Sequence, residues 1–174
     1  MGIQFETDYN METLTAMAKG LRKTVRKMRS RRVHIFAAVV LIFGLLTILA
    51  TTAGGEPLGA SGVVTLLALL VVILVSLFED RLNAWFARKR LLPGTEHAVA
   101  TFEEDGYVSA TGVTESRFSY AQIVAVAETT RYFVFALSSH HTQAYDKRNI
   151  RGGSVEDFRA FIAEKTGKPI ANIK

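Results

Sequence analysis

The chain has 174 residues, of which 49% are hydrophobic, and a formal net charge of +5 at pH 7. It contains no cysteine, which excludes a disulfide framework, a thiol nucleophile and a cysteine-ligated zinc or iron–sulfur site. The surplus of positive charge lies before residue 34, whereas residues 95–174 carry nine basic and ten acidic residues. A nucleic-acid-binding domain would carry that surplus on its folded part, so we predict no nucleic-acid partner.

Residues 1–32 predict an edge strand followed by a basic amphipathic helix. Ile3 and Phe5 alternate with polar residues, as in a strand that has one buried face. Asn10 has the side chain of a good N-cap, and we expect the helix after it to run into the next apolar segment. The apolar stripe of this helix recurs every three or four residues and consists of Leu14, Met17, Leu21, Val25 and Met28.

Two apolar segments, 33–53 and 62–79, predict a transmembrane hairpin with a turn at 54–61. No Lys, Arg, Asp or Glu occurs from Val33 to Ala53 or from Pro57 to Phe78. A helix of about 20 residues, rising about 1.5 Å per residue, crosses a hydrocarbon core of about 30 Å. The alternatives fit less well, because a signal peptide would begin nearer the N-terminus and a buried core hairpin would carry a polar stripe.

Basic residues flank this hairpin on one side only. Eight Lys and Arg residues precede the first segment, and the turn carries none. The basic residues after the second segment, in a helical extension predicted at 80–94, are Arg81, Arg88, Lys89 and Arg90. Flanks rich in Lys and Arg stay in the cytosol. We therefore predict a two-span protein of the cytoplasmic membrane that has both termini in the cytosol and the turn outside.

Four basic residues around the end of the N-terminal helix predict a lipid-headgroup site, and they are Arg22, Lys23, Arg26 and Lys27. Attraction to anionic lipid is worth about 1 kcal/mol for each Lys or Arg near the membrane surface. The alternative is that these charges only set the orientation of the chain in the membrane. The sequence leaves both interpretations open.

Residues 95–174 predict a small antiparallel sheet closed by a C-terminal amphipathic helix, which is an α+β arrangement. The apolar period changes there from helical to alternating, and Asp105-Gly106 marks a hairpin turn. The predicted strands are 99–102, 107–111, 117–120, 123–128, 132–137 and 141–145. We expect this domain to fold on its own from about Pro93.

The closing helix has a clear start and a clear end. Ser154 is its predicted N-cap, and Asp157 occupies the capping-box position usually held by Glu or Gln. Gly167 ends it. Phe158 and Phe161 lie on the apolar face of this helix, so we expect both side chains in the core.

Longer motifs resemble those of the YcxB-like family of bacterial membrane proteins. The first is Thr-Phe-x-x-Asp-Gly at 101–106, and the second is Phe-Ser-Tyr-Ala-Gln-Ile-Val-x-Val-x-Glu-Thr at 118–129. Residues 158–168 are similar to the terminal helix of that family. The chain departs from the family at 144–147, where Ala-Tyr-Asp-Lys replaces a common Ile-Pro-Lys. The resemblance implies a bacterial membrane protein with a reduced pleckstrin-homology-like (PH-like) domain and no catalytic residue.

The sequence offers no arrangement of residues that catalysis requires. His140 and His141 are adjacent, so on a strand they would point to opposite faces and could not readily share one metal ion. The acidic residues at 103–105 lack the spacing of a calcium loop and fit a solvated turn. No Gly-x-Ser-x-Gly elbow or Gly-rich phosphate loop occurs. We therefore predict a non-enzymatic protein with no catalytic, cofactor-binding or metal-binding residues.

Binding remains as the predicted function. One hypothesis is a regulatory or scaffolding protein whose cytosolic domain binds a protein or a lipid headgroup at the membrane, with a partner surface around Tyr132, His140 and Tyr145. The alternative is an immunity protein that neutralises a membrane-active toxin or bacteriocin through its spans or its outer turn. The predicted partners are the lipid bilayer, anionic lipids and a protein, and the sequence leaves a homo-oligomer open.

Overall fold

A computed structural model describes residues 2–55 and 59–173 of the chain. Its helices are α1 (Met11–Lys23), α2 (Lys27–Ala53), α3 (Ala60–Leu77), α4 (Glu79–Lys89) and α5 (Val155–Thr166). Its strands are β1 (Ile3–Asp8), β2 (His97–Phe102), β3 (Tyr107–Thr111), β4 (Glu115–Phe118), β5 (Ala125–Glu128), β6 (Tyr132–Ala136), β7 (Thr142–Asp146), β8 (Ile150–Arg151) and β9 (Ile170–Asn172). The structure is therefore α+β, as the sequence predicts.

The strands form two sheets rather than the single sheet predicted from the sequence. The first sheet has the order β4-β3-β2-β1-β8 and is antiparallel throughout. The second has the order β7-β6-β5-β9, and its β5–β9 pair is parallel. A 3₁₀ turn at Tyr120–Gln122 separates β4 of the first sheet from β5 of the second, and the chain returns to the first sheet at β8. The prediction of one antiparallel sheet was wrong because the strand signals describe local alternation and not the pairing of distant segments.

The N-terminal strand lies inside the first sheet. β1 pairs with β2 along its whole length, and its other side pairs with β8 at Gln4 and Phe5. The predicted edge position was therefore wrong, because β8 is only two residues long and leaves no alternating pattern in the sequence. The residues from 95 onward form this fold together with the strand at the start of the chain. The apolar helices are thus inserted into the sequence of the sheet domain.

Aromatic side chains from both sheets and from α5 form one core. Phe5 and Phe158 are fully buried, and their ring centroids lie 4.6 Å apart. The capping box at Ser154 and Asp157 is present, which confirms the predicted start of α5. Phe158 confirms its predicted core position, whereas Phe161 is half-buried at the edge of the core, with its ring 5.7 Å from that of Tyr120.

Helix α1 lies on the outer face of the second sheet. The Asn10 side chain accepts hydrogen bonds from the backbone N–H groups of Glu12 and Thr13, which confirms the predicted cap. Gly20 faces β6 so closely that a Cβ atom at this position would lie 2.7 Å from Cγ1 of Val134. A glycine here therefore lets the helix backbone approach the sheet.

The predicted continuous helix from Asn10 into the first apolar segment was wrong. α1 ends at Lys23, and α2 begins at Lys27 after a turn. Thr24 has φ −110° and ψ −92°, outside the helical region, and both its N–H and its hydroxyl donate to the Gly20 carbonyl. The turn leaves the next helix free to take a different direction from α1.

Helices α2 and α3 form an apolar hairpin. An 18-residue stretch of each has a mean hydropathy of 2.7, and both helices are long and apolar enough to cross a membrane. Leu69 of α3 packs against Gly44 of α2, where a Cβ atom would lie 2.7 Å from its side chain. The predicted turn at 54–61 lies partly outside the described residues. Beyond Phe78 the chain continues into α4, which corresponds to the helical extension predicted at 80–94 and packs against α1.

Candidate functional site

A pocket of about 780 Å³ lies where the hairpin meets the sheet domain. Helices α1 and α4, the first turns of α2 and the β6–β7 loop surround it, and we call it the junction pocket. Its charged and imidazole side chains are Arg22, Arg26, Arg29, Glu79, Arg90, His140 and His141. Its larger apolar side chains are Leu14, Met17, Leu21, Val33 and Phe86. The pocket therefore combines a mainly basic wall with an apolar wall.

Arg22 joins α1 to α4. Its Nε and Nη2 atoms donate to the two carboxylate oxygens of Asp80 at 2.7 and 2.6 Å. Glu79 adds a longer contact of 3.8 Å to the same guanidinium. The hydrogen bond to Asp80 raises the pKa of Arg22 above its ordinary value. These hydrogen bonds connect the two helices. Because the carboxylates balance the charge of the guanidinium, Arg22 contributes little net charge to the pocket.

Arg26 connects the α1–α2 turn to the β6–β7 loop. Its Nε donates to the backbone carbonyl of Ser139 at 2.6 Å, and its Nη2 lies 2.9 Å from Nδ1 of His140. Neither partner carries a negative charge. The positive charge of Arg26 is therefore positioned by the protein without being neutralised.

Arg29 and Arg90 add two further positive charges to the basic wall. Within residues 2–55 and 59–173, neither of them nor Arg26 forms a salt bridge with a carboxylate. The acidic side chain of the pocket, Glu79, faces Arg22 and lies 3.7 Å from His34. The junction pocket consequently has a net positive charge and suits an anionic ligand.

The predicted headgroup residues do not form one site. Arg22 and Arg26 line the junction pocket, whereas Lys23 and Lys27 are exposed and lie outside it. The sequence did not identify Arg29 and Arg90 as part of the site. Arg29 lies three residues after Arg26, a spacing that could have indicated it, but Arg90 reaches the pocket only through the packing of α4 on α1.

The structure does not form the predicted partner surface around Tyr132, His140 and Tyr145. Tyr132 and Tyr145 are each only 2% exposed, and burial raises the pKa of both phenols. The hydroxyl of Tyr145 donates to Gln143 at 2.7 Å, and that of Tyr132 accepts from Thr13 at 3.2 Å. These tyrosines belong to the interior, because a buried phenol that has a hydrogen-bond partner packs like any aromatic core residue. His140 alone is exposed, and it faces Arg26.

Two buried carboxylates occur in the sheet domain, and basic residues compensate both. Glu128 accepts hydrogen bonds from Arg159 at 2.7 and 2.9 Å and from Lys147 at 2.7 Å. These bonds, led by that of Arg159, lower the pKa of Glu128 from 4.5 to about 2. Asp146 accepts hydrogen bonds from Arg131 at 2.8 and 2.9 Å. Glu128 thus remains ionised at neutral pH and connects β5 to α5, which fits a structural role better than proton transfer.

Within the described part of the chain, no group of three or more His, Asp or Glu side chains could hold a metal ion. The two adjacent histidines have other neighbours. His140 lies against Arg26, and the ring of His141 is 6.2 Å from that of Phe118.

Comparison with known families adds one positive finding. Residues 102–162 match the model of the family described as YcxB-like protein. This segment is similar to a YcxB-like domain. The match confirms the resemblance that the sequence motifs predict. No curated protein and no solved structure matches the chain.

The YcxB-like match extends from the last residue of β2 into α5, so it includes β3, β4 and β8 of the first sheet and β5, β6 and β7 of the second. It does not include the arginines of the junction pocket, which lie in α1, the α1–α2 turn, α2 and the end of α4. From the matched segment, only the β6–β7 loop and Thr142 line the pocket. The basic wall is therefore built by the helices that connect the YcxB-like domain to the hairpin.

Proposed function

We propose that this chain is a non-enzymatic binding protein of the bacterial cytoplasmic membrane, with a scaffolding or regulatory role. The α2–α3 hairpin crosses the bilayer and holds the sheet domain at the cytosolic face. The junction pocket, formed where hairpin and domain meet, is the binding site. We further propose that the two sheets and α5 form a reduced PH-like fold, which is supported by the core that they share.

The pairing of β1 with β2 carries this proposal. These strands precede and follow the apolar hairpin, and six residue pairs join them from Ile3–Phe102 to Asp8–His97. In a membrane-spanning chain, two strands can pair only if they lie on the same side of the bilayer. The hairpin must then cross an even number of times, which agrees with the length and hydropathy of α2 and α3.

The charge distribution supports the cytosolic orientation. Eight Lys and Arg residues precede the apolar part of α2, and Arg81, Arg88, Lys89 and Arg90 follow α3. Such flanks remain in the cytosol during insertion. Both termini and the sheet domain are therefore cytosolic in this proposal, and the turn between α2 and α3 is external.

Single cysteine variants test the topology, because the native chain contains no cysteine. Ser61 and Ser139 are both exposed, Ser61 near the start of α3 and Ser139 in the β6–β7 loop. In intact cells, an impermeant maleimide should label Ser61→Cys and leave Ser139→Cys unlabelled.

Permeabilised cells provide the matched control, since both cysteines should then react equally. If Ser139→Cys but not Ser61→Cys is labelled in intact cells, the chain has the opposite orientation in the membrane. Recovery of the chain in the soluble fraction after lysis would rule out the membrane anchor itself.

A further inference from the structure

The basic wall of the junction pocket lacks a counter-charge. Arg22 is balanced by Asp80 and Glu79, but Arg26 and Arg29 have no carboxylate partner within the described residues. They are three positions apart at the start of α2, which places them within one helical turn. Arginine binds phosphate through two parallel hydrogen bonds, an arrangement that Arg29 can offer directly. Arg26 already contacts the β6–β7 loop through Nε and Nη2, so it would approach the phosphate with the remaining edge of its guanidinium.

The apolar wall limits which phosphate compound fits. Val33 and Phe86 line the pocket, and their exposed fractions are 55% and 51%. The apolar surface continues from Val33 along the same face of α2 to Phe36, three residues later, which is 69% exposed. A free phosphate ion or a nucleotide would leave this surface uncovered. A molecule with an anionic head and a hydrocarbon chain would cover both walls.

We propose that the junction pocket binds one anionic phospholipid, with its phosphate at Arg26 and Arg29 and an acyl chain along Val33 and Phe86. This inference rests on the proposed function, because it requires that α2 enters the bilayer just beyond the pocket. Basic pockets beside cytosolic helix ends are a known means of binding anionic headgroups. The lipid then supplies the counter-charge that the described residues lack. It also fills the space between α4 and the β6–β7 loop.

Native mass spectrometry of the full chain in mild detergent tests the site. The probes are phosphatidylglycerol, phosphatidylcholine as a zwitterionic lipid of equal chain length, and millimolar inorganic phosphate. We expect a one-to-one adduct with phosphatidylglycerol that is much stronger than the adduct with phosphatidylcholine. The double variant Arg26→Gln, Arg29→Gln should weaken phosphatidylglycerol binding about 10- to 30-fold, given the usual contribution of two charges near a membrane.

The matched control is the double variant Lys23→Gln, Lys27→Gln, which removes the same charge from neighbouring exposed positions outside the pocket. It should change phosphatidylglycerol binding by less than about 3-fold, because Lys23 and Lys27 do not line the pocket and act on the bound phosphate only across solvent and salt that screen their charges. An equal loss in both double variants would overturn the pocket and indicate unspecific attraction. Equal binding of both lipids, or displacement of phosphatidylglycerol by inorganic phosphate, would also overturn it.

Two further measurements distinguish a loss of lipid binding at the pocket from misfolding of the chain and from an error in the proposed topology. Arg29→Gln alone keeps the Arg26 bonds to the β6–β7 loop, so its loss of lipid binding tests the site even if the double variant misfolds. Unchanged affinity in Arg29→Gln would count against the proposal. If cysteine labelling places Ser61 outside but the chain shows no lipid selectivity, the proposed membrane topology is supported and the lipid site alone is overturned.

Discussion

Replacing Phe5 by Ala should greatly destabilise a domain whose other strands all lie about ninety residues or more further along the chain. The Phe5 side chain is fully buried, and its ring centroid lies 4.6 Å from that of Phe158 and 5.7 Å from that of Tyr145. Truncating a buried Phe to Ala costs about 3–5 kcal/mol of unfolding free energy. Since small domains have about 5–15 kcal/mol in total, this change removes a large share of it.

Urea unfolding of the full chain in mild detergent measures the effect, with near-UV circular dichroism reporting on the buried aromatic core. A urea dependence of about 1–3 kcal/mol per molar means that a 4 kcal/mol loss lowers the midpoint by at least about 1 M. Gln4→Ala is the control, because its side chain points away from the core and should change stability by less than about 0.5 kcal/mol. If Phe5→Ala keeps the wild-type midpoint while Phe158→Ala lowers it, β1 does not belong to the cooperative unit.

The same titration tests two other contacts. Gly20→Ala should lower the unfolding free energy by about 1–3 kcal/mol, because the added Cβ atom would clash with Val134. The higher helix propensity of Ala offsets roughly 1 kcal/mol of this loss. Adding Val134→Ala to the same chain should restore part of the remaining loss, because it removes the clash. Because the folded-state pKa of Glu128 is lowered from 4.5 to about 2, its stabilisation is complete above about pH 4.5 and is lost as the pH falls toward 2. As the pH falls toward 2, the wild type should therefore lose about 3 kcal/mol more unfolding free energy than Glu128→Gln does. Parallel curves would contradict the buried ion pair.

The sequence predicts the elements of the fold better than their arrangement. Strands β2 to β7 lie within two residues of their predicted bounds, because alternation and turn residues are local signals. The interior position of β1 depends on β8, which is too short to be recognised. The break between α1 and α2 was also missed, because the apolar stripe continues through Val25 and Met28 across the turn.

The site could be predicted only in part, because it depends on which residues the packing brings together. Arg22 and Arg26 lie in the junction pocket, but the sequence cannot tell that Asp80 neutralises one of them and leaves the other available. Tyr132 of β6 and Tyr145 of β7 were predicted at a partner surface, but both are buried. Alternation in the sequence shows that a strand has two faces, but not whether another element covers the second face. Here α1 covers the outer face of the second sheet around Tyr132. Long-range packing therefore decided both outcomes.

The position of β1 also determines when the sheet can form during synthesis. Residues 3–8 leave the ribosome before the hairpin does, yet their partner strand is complete only when residue 102 has been made. Until α2 and α3 have folded back on each other, the nascent chain carries an unpaired strand with an exposed aromatic side chain, which is a target for aggregation and proteolysis. Completion of the sheet thus depends on completion of the hairpin. A chain in which the hairpin fails to form would keep this strand exposed, and quality-control proteases could then recognise it.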